Sequence, residues 1–475
     1  MVVGEFTQET TLLVIGGGPA GYAAAFRAAE LGVETAIVDP RPDLGGICLH
    51  AGCVPSKTLC DLSATIRAAS GAAAMGAAFS PPAIDASKVG VWVDTTVERL
   101  AKGLAARAKQ LKITRLVGEA RFEDAKHVAV TGGSIPRVKF RKAVIATGTR
   151  PVEHPDLSFD GERTWTPEQA VRLGTLAAAA SRAREGGASN AIAVTAGGDS
   201  GRGESLIPRT LLVIGSDYMA VEIASIYASL GSRVTLASPE AVLLPEADDD
   251  LMRPLRKSLE ASLAEILLGA TIDATAAAKF DRVVVSLGRR ANVESLDLDR
   301  AGVTLDERGF IRVDAAMKTS SARHFAAGDV TGGPLLANAA LAQGRVAAEV
   351  IAGQPSALDV RAIPHAVFTD PNIAWVGLTE KQAKRQGQPY AIAKAPWGLS
   401  GRAAGMNRMD GLTKIIFDPG TREVQGVGLA GPGTCEMIGE AALAIEMGAT
   451  LDDLALTLHP HPTTSELLAD AARGV

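Results

Sequence analysis

Apolar residues fall along this chain both in short unbroken runs and in longer stretches at helical spacing. Residues 11–15 (TLLVI) form the kind of run expected of a strand buried on both faces. Gly16-x-Gly18-x-x-Gly21 follows, then an alanine-rich stretch to about Leu31 that reads as a helix. A second apolar run, Thr35–Val38, ends on Asp39. The same order returns at Leu211. There the run LLVI leads into Gly215-Ser216-Asp217-Tyr218-Met219-Ala220, a helix through Glu222 and Tyr227, and a strand from Arg233 that ends before Ser238.

Between and beyond these repeats the pattern predicts further elements. Residues 61–79 read as a helix, and Val89–Leu111 as a longer one with apolar residues at 89, 93, 97, 100, 104 and 111. Ile113–Phe140 reads as short strands with a Gly132-Gly133 turn, and Ala143–Ala146 as a strand running into Thr147-Gly148. Residues 177–205 look like a flexible insertion with one possible strand at 191–195. Arg282–Leu287 and His324–Asp329 are strands ending in Gly288 and Gly328-Asp329, and a helix follows from about Leu335 to Ala352. From about Ile363 alternating strands (374–376, 413–417, 424–429) and helices at 436–447 and 465–472 predict an α+β domain.

Length and charge narrow the class. At 475 residues the chain is too long for one core, so about three domains are expected. Lys and Arg number 48 against 53 Asp and Glu, a net charge of −5 that points neither to nucleic acid nor to an anionic membrane. There are four cysteines, Cys48, Cys53, Cys60 and Cys435, too few for a disulfide-stapled secreted protein. With neither a signal-peptide pattern nor a membrane span, a cytoplasmic protein is expected.

The glycine pattern carries chemistry. A strand, three glycines, a helix, a second strand and an acid in register let backbone approach a pyrophosphate at a helix N-terminus, while the acid takes a ribose hydroxyl. Gly45–Leu59 (GGICLHAGCVPSKTL) adds two cysteines five apart beside Lys57. If a helix starts near Cys53, with Cys48 a turn outside it, the helix N-terminus and Lys57 lower a thiol pKa and favour redox or nucleophilic chemistry. Two inert buried thiols are the plain alternative. A zinc site lacks a second ligand pair at the right spacing, so no metal is expected.

Taken together, GGGPAG at 16–21, GGICLHAGCVPSK at 45–57, ATG at 146–148, AAGD at 326–329 and HPHPTTSE at 459–466 resemble the flavin-dependent pyridine-nucleotide disulfide oxidoreductases, and within them the dihydrolipoamide dehydrogenase group. The likeness spans nearly the whole chain. It implies an α/β fold of two Rossmann-like dinucleotide-binding domains and a C-terminal α+β dimerisation domain. The FAD domain would be 1–155, completed by 291–355. The NAD-binding-like domain would be 156–290, and the interface domain 356–475.

The resemblance also implies roles. Gly16, Gly18, Gly21 and Asp39 would bind the adenosine diphosphate half of FAD, and Asp329 its ribityl or phosphate part. Gly45, Gly46, Lys57, Thr147, Gly148 and Ala337 complete the expected FAD contacts; Gly215, Asp217, Ser238 and Gly288 are the expected NAD contacts. Cys48 would exchange with a dithiol substrate, Cys53 would lie against the flavin, and the two would form a disulfide. Lys57 and Glu222 would pair beside the flavin. His461, oriented by Glu466, would be the acid–base and serve the cysteines of the other subunit of a homodimer. The expected substrate is a lipoyl-carrying protein or a small dithiol.

Three features depart from the family pattern. Asp217 stands where a glycine meets the pyrophosphate, placing a carboxylate beside phosphate. Ser238 replaces the ribose-reading acid. Gly269–Lys279 is short where the family inserts further strands. An NAD-linked dehydrogenase is expected. The alternative is a flavin/disulfide electron-transfer or partner-binding protein with weakened nicotinamide use.

Overall fold

The computed structural model of the chain describes residues 7–173 and 207–474, so the insertion expected at 177–205 lies outside the described residues. The first sheet has seven strands. Thr7–Ile15 lies at its centre, parallel to Thr35–Asp39 on one side and to Arg137–Ile145 on the other. Thr114–Val117 extends one edge in parallel, and His324–Ala326 pairs with the far end of Arg137–Ile145. Glu119–Phe122 and His127–Thr131 add an antiparallel meander to Arg137–Ile145.

The apolar run at the centre is there because both sheet faces are covered. Leu12 and Val14 pack into one cluster with Ala24, Ala25 and Ala28; Leu13 and Ile15 pack into another with Phe122 and Phe140. Burying a Leu, Val or Ile side chain contributes about 1.5–3 kcal/mol, so this strand anchors both layers. The helix Pro19–Glu30 is alanine-rich because Ala337–Ile351 lies close against it: a Cβ on Gly344 would sit 2.2 Å from the Ala20 carbonyl oxygen.

In the cysteine segment a helix starts at Cys53, running to Gly71, and Cys48 lies outside it, as expected; Cys48 is also on a short helix of its own, the six-residue Gly46–Ala51. Gly52 separates them with φ −134° and ψ −106°, away from helical values. The helix expected over 61–79 therefore starts earlier, and after Gly71 it tightens into a 3₁₀ turn, Ala72–Met75.

The second sheet is five-stranded and wholly parallel, with Thr210–Ile214 between Arg233–Ser238 and Arg282–Val285. Between Glu265–Leu268 and Arg282–Val285 stands only the four-residue helix Ala274–Ala277, as the short 269–279 stretch suggested. The third sheet is five-stranded and antiparallel, in the order His365–Val367, Ile373–Gly377, Val424–Ala430, Leu412–Phe417 and Ala391–Pro396. Helices Thr434–Glu446, Leu451–Leu456 and Glu466–Arg473 supply Ile438, Leu454 and Leu468 to its core.

These sheets fall into two compact units. The first comprises the chain up to Pro55, Lys88–Val152 and Gly288–Asp359; the second comprises Ser56–Ser87, Glu153–Leu287 and Val360–Val475. Buried ionic contacts bind the two later sheets together within the second unit. The Lys414 side chain is 1 % exposed and reaches Asp248 at 2.9 Å, Asp250 at 3.1 Å and Glu380 at 2.7 Å. Burial works against the Lys414 charge, but these acids outweigh it and raise the ammonium pKa. Asp248 also accepts the backbone N–H groups of Glu380 and Lys381.

Candidate active site

In the first unit the fingerprint loop and the cysteine segment are built against each other. The Gly45 N–H donates to the Gly17 carbonyl at 2.8 Å, and a Cβ on Gly46 would lie 2.6 Å from Gly18 Cα. Gly46 also holds φ +56°, so both space and backbone demand glycine there. Asp39 ties the loop from the other side, its carboxylate accepting from Gly17 N at 2.6 Å and Arg41 N at 2.8 Å. Cys48 and Cys53 are in the thiol form. Tyr22, on the helix that follows the fingerprint, has its phenol pKa raised by burial and then by the charge that Cys48 and Cys53 carry once ionised, so the pair lies near that helix.

Glycine at position 18 is not required by the chain itself. Its φ is −71°, and the nearest atom to an added Cβ would be 3.8 Å away. No side chain caps the helix it opens, leaving the N-terminal amides to an anion. Those are the features a bound pyrophosphate requires, and the residues here fit FAD. Asp329 is half-buried, receives the Thr149 hydroxyl at 3.2 Å, and has its carboxyl pKa raised by burial against the pull of Arg289. Thr147 donates to the Asn292 carbonyl, and Ala337 opens the helix that packs on Pro19–Glu30.

In the second unit Lys57 and Glu222 do pair. Glu222 is fully buried, and its two oxygens lie 2.8 and 2.7 Å from Lys57 Nζ. The Phe368 N–H adds a third bond at 2.9 Å, so the buried carboxylate is satisfied. Lys57 also stands over the rings of Phe368 and Tyr218, at 5.0 and 5.7 Å. Cys60 and Cys435 have thiol pKa values raised by burial and then by Glu222, Cys435 to about 12. Both are poor thiolates.

The C-terminal motif also assembles as expected. His461 Nδ1 lies 2.8 Å from Glu466 Oε1, and the other Glu466 oxygen accepts from Thr463 N at 2.7 Å. A carboxylate only accepts, so Nδ1 carries the hydrogen and Nε2 presents a lone pair. The His461 side chain is 81 % exposed, turned away from its own core. Glu466 is held below the usual carboxylate range by the Thr463 N–H and then by His461.

The residues expected to contact NAD carry internal bonds that the sequence does not show. Asp217 is not a bare charge on the turn. It caps the helix Tyr218–Ser229 by accepting from Ala220 N at 2.9 Å, and the Ser286 hydroxyl reaches both its oxygens at 2.9 and 2.8 Å. Gly215 keeps φ +151° because a Cβ there would meet the Ser286 carbonyl oxygen at 2.2 Å. Ser238 is buried at the strand end and accepts from Glu240 N at 3.0 Å, while Gly288 follows the strand Arg282–Val285 with φ +98°.

Other histidines also find partners or packing in the structure. His459 Nε2 lies 2.8 Å from Glu440, His50 reaches the Leu44 carbonyl at 2.9 Å, and His127 pairs with Asp124. His324 is wholly buried against Phe122 and Phe140. His459 and Glu440 are 19 residues apart, and only the HPHP pattern marks that histidine.

Comparison with known proteins identifies the family. Residues 10–344 match the pyridine nucleotide-disulphide oxidoreductase model, and residues 363–472 match the dimerisation domain of the same family. A dihydrolipoyl dehydrogenase of Haemophilus influenzae is 37 % identical over 484 residues, covering 98 % of this chain and 94 % of that one. A dihydrolipoyl dehydrogenase of Geobacillus stearothermophilus is 37 % identical over 490 residues, covering 99 % and 97 %. Among solved structures, LpdA from Mycobacterium tuberculosis superposes with a TM-score of 0.82 at 24 % identity, over 98 % of this chain and 99 % of that one. The HOCl-induced flavoprotein disulfide reductase RclA from Escherichia coli shares the fold at TM-score 0.80 and 24 % identity, over the same shares. Among the described residues no helix is long and apolar enough to cross a membrane. The chain belongs to the pyridine nucleotide-disulphide oxidoreductases.

Proposed function

We propose that the chain is a dihydrolipoyl dehydrogenase, oxidising a dihydrolipoyl dithiol through Cys48 and Cys53 with FAD as cofactor and NAD as acceptor. The observation that carries this reading is the coupling of the cysteine segment to the fingerprint loop through Gly45–Gly17 and Gly46–Gly18. It sets a dithiol beside a dinucleotide cradle. The substrate is a protein-bound lipoyl group or a small dithiol. FAD would be held by Gly16, Gly18, Gly21, Asp39, Gly45, Gly46, Lys57, Thr147, Gly148, Asp329 and Ala337.

Each step follows from the residues. Nε2 of neutral His461 takes a proton from one substrate thiol, and Glu466 stabilises the imidazolium that forms. The thiolate attacks Cys48 sulfur in the Cys48–Cys53 disulfide. One S–S bond forms, another breaks, and Cys53 leaves as a thiolate. The second substrate thiol then attacks the mixed disulfide and passes its proton to the departing Cys48 sulfur, releasing a cyclic disulfide and the Cys48 thiol. Two electrons have passed to the cysteine pair, and two protons have left the substrate. When bound, FAD supplies the two-electron chemistry that returns the pair to a disulfide and delivers a hydride to NAD. Within the second unit Glu222 holds the Lys57 ammonium in one place.

His461 serves the cysteines of a second copy of the chain. Its outward ring, the match of residues 363–472 to the family's dimerisation domain and the exposed apolar side chains Leu443, Met447, Leu456 and Leu458 of that domain support a homodimer. Mixing inactive Cys48→Ser and His461→Ala chains should recover about a quarter of wild-type activity, since random re-pairing makes one site whole in half of the dimers. No recovery in a verified mixed dimer, or an active monomer, would rule this out.

A further inference from the structure

The loops that close the two glycine turns share one frame. In the first unit the Gly16 N–H donates to the Val38 carbonyl and the Gly45 N–H to the Gly17 carbonyl, each at 2.8 Å. Residues 39–44 are therefore tied to the turn at both ends. In the second unit the Gly215 N–H donates to the Ala237 carbonyl and the Leu244 N–H to the Ser216 carbonyl, again at 2.8 Å, and residues 238–243 are tied in the same way. Both loops open alike: the Arg41 N–H donates to Asp39 at 2.8 Å, and the Glu240 N–H donates to the Ser238 hydroxyl at 3.0 Å. Asp39-Pro40-Arg41 in one loop thus corresponds to Ser238-Pro239-Glu240 in the other. The third residue is exposed in both, with its charge reversed.

A dinucleotide on such a turn carries its adenosine ribose to the end of the second strand, where an acid reads the free 2′-hydroxyl. Ser238 has no charge for this; it is 1 % exposed, and its oxygen serves the loop's own turn. Glu240 is the one charged residue between 238 and 243. Its backbone is fixed on both sides, the N–H by Ser238 and the carbonyl by the Gly269 N–H at 2.9 Å. Among the described residues its carboxylate has no hydrogen bond or ion pair, and it is exposed. Resting on the reading of NAD as the acceptor, we propose that Glu240 is the specificity-determining residue of the nicotinamide site. Its carboxylate accepts the ribose 2′-hydroxyl of NAD and repels the 2′-phosphate of NADP. A carboxylate only accepts, so it matches a hydroxyl, whereas a phosphate in the same place brings like charge. The acid missing from the strand end is supplied two residues further along the loop.

The test measures binding apart from turnover, by calorimetry on the full-length, FAD-loaded, oxidised protein with ADP-ribose and its 2′-phosphate as probes. The wild type should bind ADP-ribose more tightly by about tenfold or more. Glu240→Ala should weaken ADP-ribose about tenfold, the usual cost of a lost hydrogen bond to a charged group, and bring the two probes within about threefold of each other. Glu240→Arg should reverse the preference. Ser238→Asp in the Glu240→Ala background should restore ADP-ribose binding, because Asp39 shows that an acid at the strand end keeps the same turn. KM for NAD should follow the same order. Unchanged affinities in Glu240→Ala, or a wild type that binds no ADP-ribose, would overturn the proposal. A wild type that binds as expected while dihydrolipoamide leaves its flavin oxidised would contradict the functional reading and leave the role of Glu240 standing.

Discussion

The two glycine turns of this chain are built alike and finished differently. Each follows a buried strand and opens a 12-residue helix from an extended N-cap residue. Each keeps its first glycine, Gly16 or Gly215, because the end of the neighbouring strand leaves no room for a Cβ. At the next glycine position they part. Gly18 leaves the first helix uncapped, while Asp217 spends its carboxylate on Ala220 N and the Ser286 hydroxyl. Asp39 closes the first unit and Ser238 the second. The scaffold is fixed by internal packing, so it repeats; the ligand-facing positions are not, so they diverge. The first turn leaves its amides to a ligand, and the second has already answered one of its own.

Exchanging residues at the third fingerprint position should break the likeness most severely. A Cβ on Gly21 would lie 1.9 Å from the Gly16 carbonyl oxygen, while the second unit already carries Ala220 there. Gly21→Ala should cost about 3 kcal/mol through overpacking and yield colourless protein. Ala220→Gly should cost only about 1 kcal/mol, the helix-propensity difference. Thermal melts and flavin absorbance check both.

Acid exposes a second difference, centred on a buried histidine of the first unit. His324 is buried with its Nε2 unpartnered, and burial holds its pKa at about 4 against the usual 6.5. The folded value lies below the unfolded one, so stability is complete above 6.5 and lost as pH falls towards 4, by about 3 kcal/mol in the limit. His324→Leu should flatten that loss in denaturant midpoints taken across the window, although it also gives up the 2.8 Å bond to Ser321.

The smallest expected effect sharpens the comparison directly. Asp217→Gly makes the second turn resemble the first. Glycine also serves as an N-cap, so the melting temperature should hardly change, at a cost of a few tenths of a kcal/mol. KM for NAD should fall by up to about tenfold, the equivalent of ~1.4 kcal/mol from removing a carboxylate near phosphate. The rate of flavin reduction by dihydrolipoamide should stay the same. An unchanged KM would mean that the Ser286 bond already neutralises the effect.

Much of this was legible in the sequence, for identifiable reasons. Buried strands and capped or glycine-ended helices leave local signals, and the motif residues carried the Lys57–Glu222 and His461–Glu466 pairs. What stayed hidden depends on packing across sequence distance. The break at Gly52 is one residue wide, and glycine there fits either one helix or two. Asp217 is a favourable N-cap residue, but at a fingerprint position the same carboxylate also reads as a charge beside phosphate. Lys414 lies in a run, LTKIIF, where the alternation does not reveal that three acids from elsewhere bury its ammonium. His459 finds Glu440 only once two helices and a loop are placed.

The most direct test of the central claim separates the two halves of the reaction. Purified protein, held without oxygen, is titrated first with dihydrolipoamide and then with NAD while its absorbance is followed. The account predicts loss of the oxidised flavin spectrum with a long-wavelength thiolate band, then recovery of the oxidised spectrum on adding NAD. Cys48→Ser should block the first change. A flavin that dihydrolipoamide leaves oxidised would contradict the dithiol half; one that it reduces but NAD never reoxidises would contradict NAD as the acceptor.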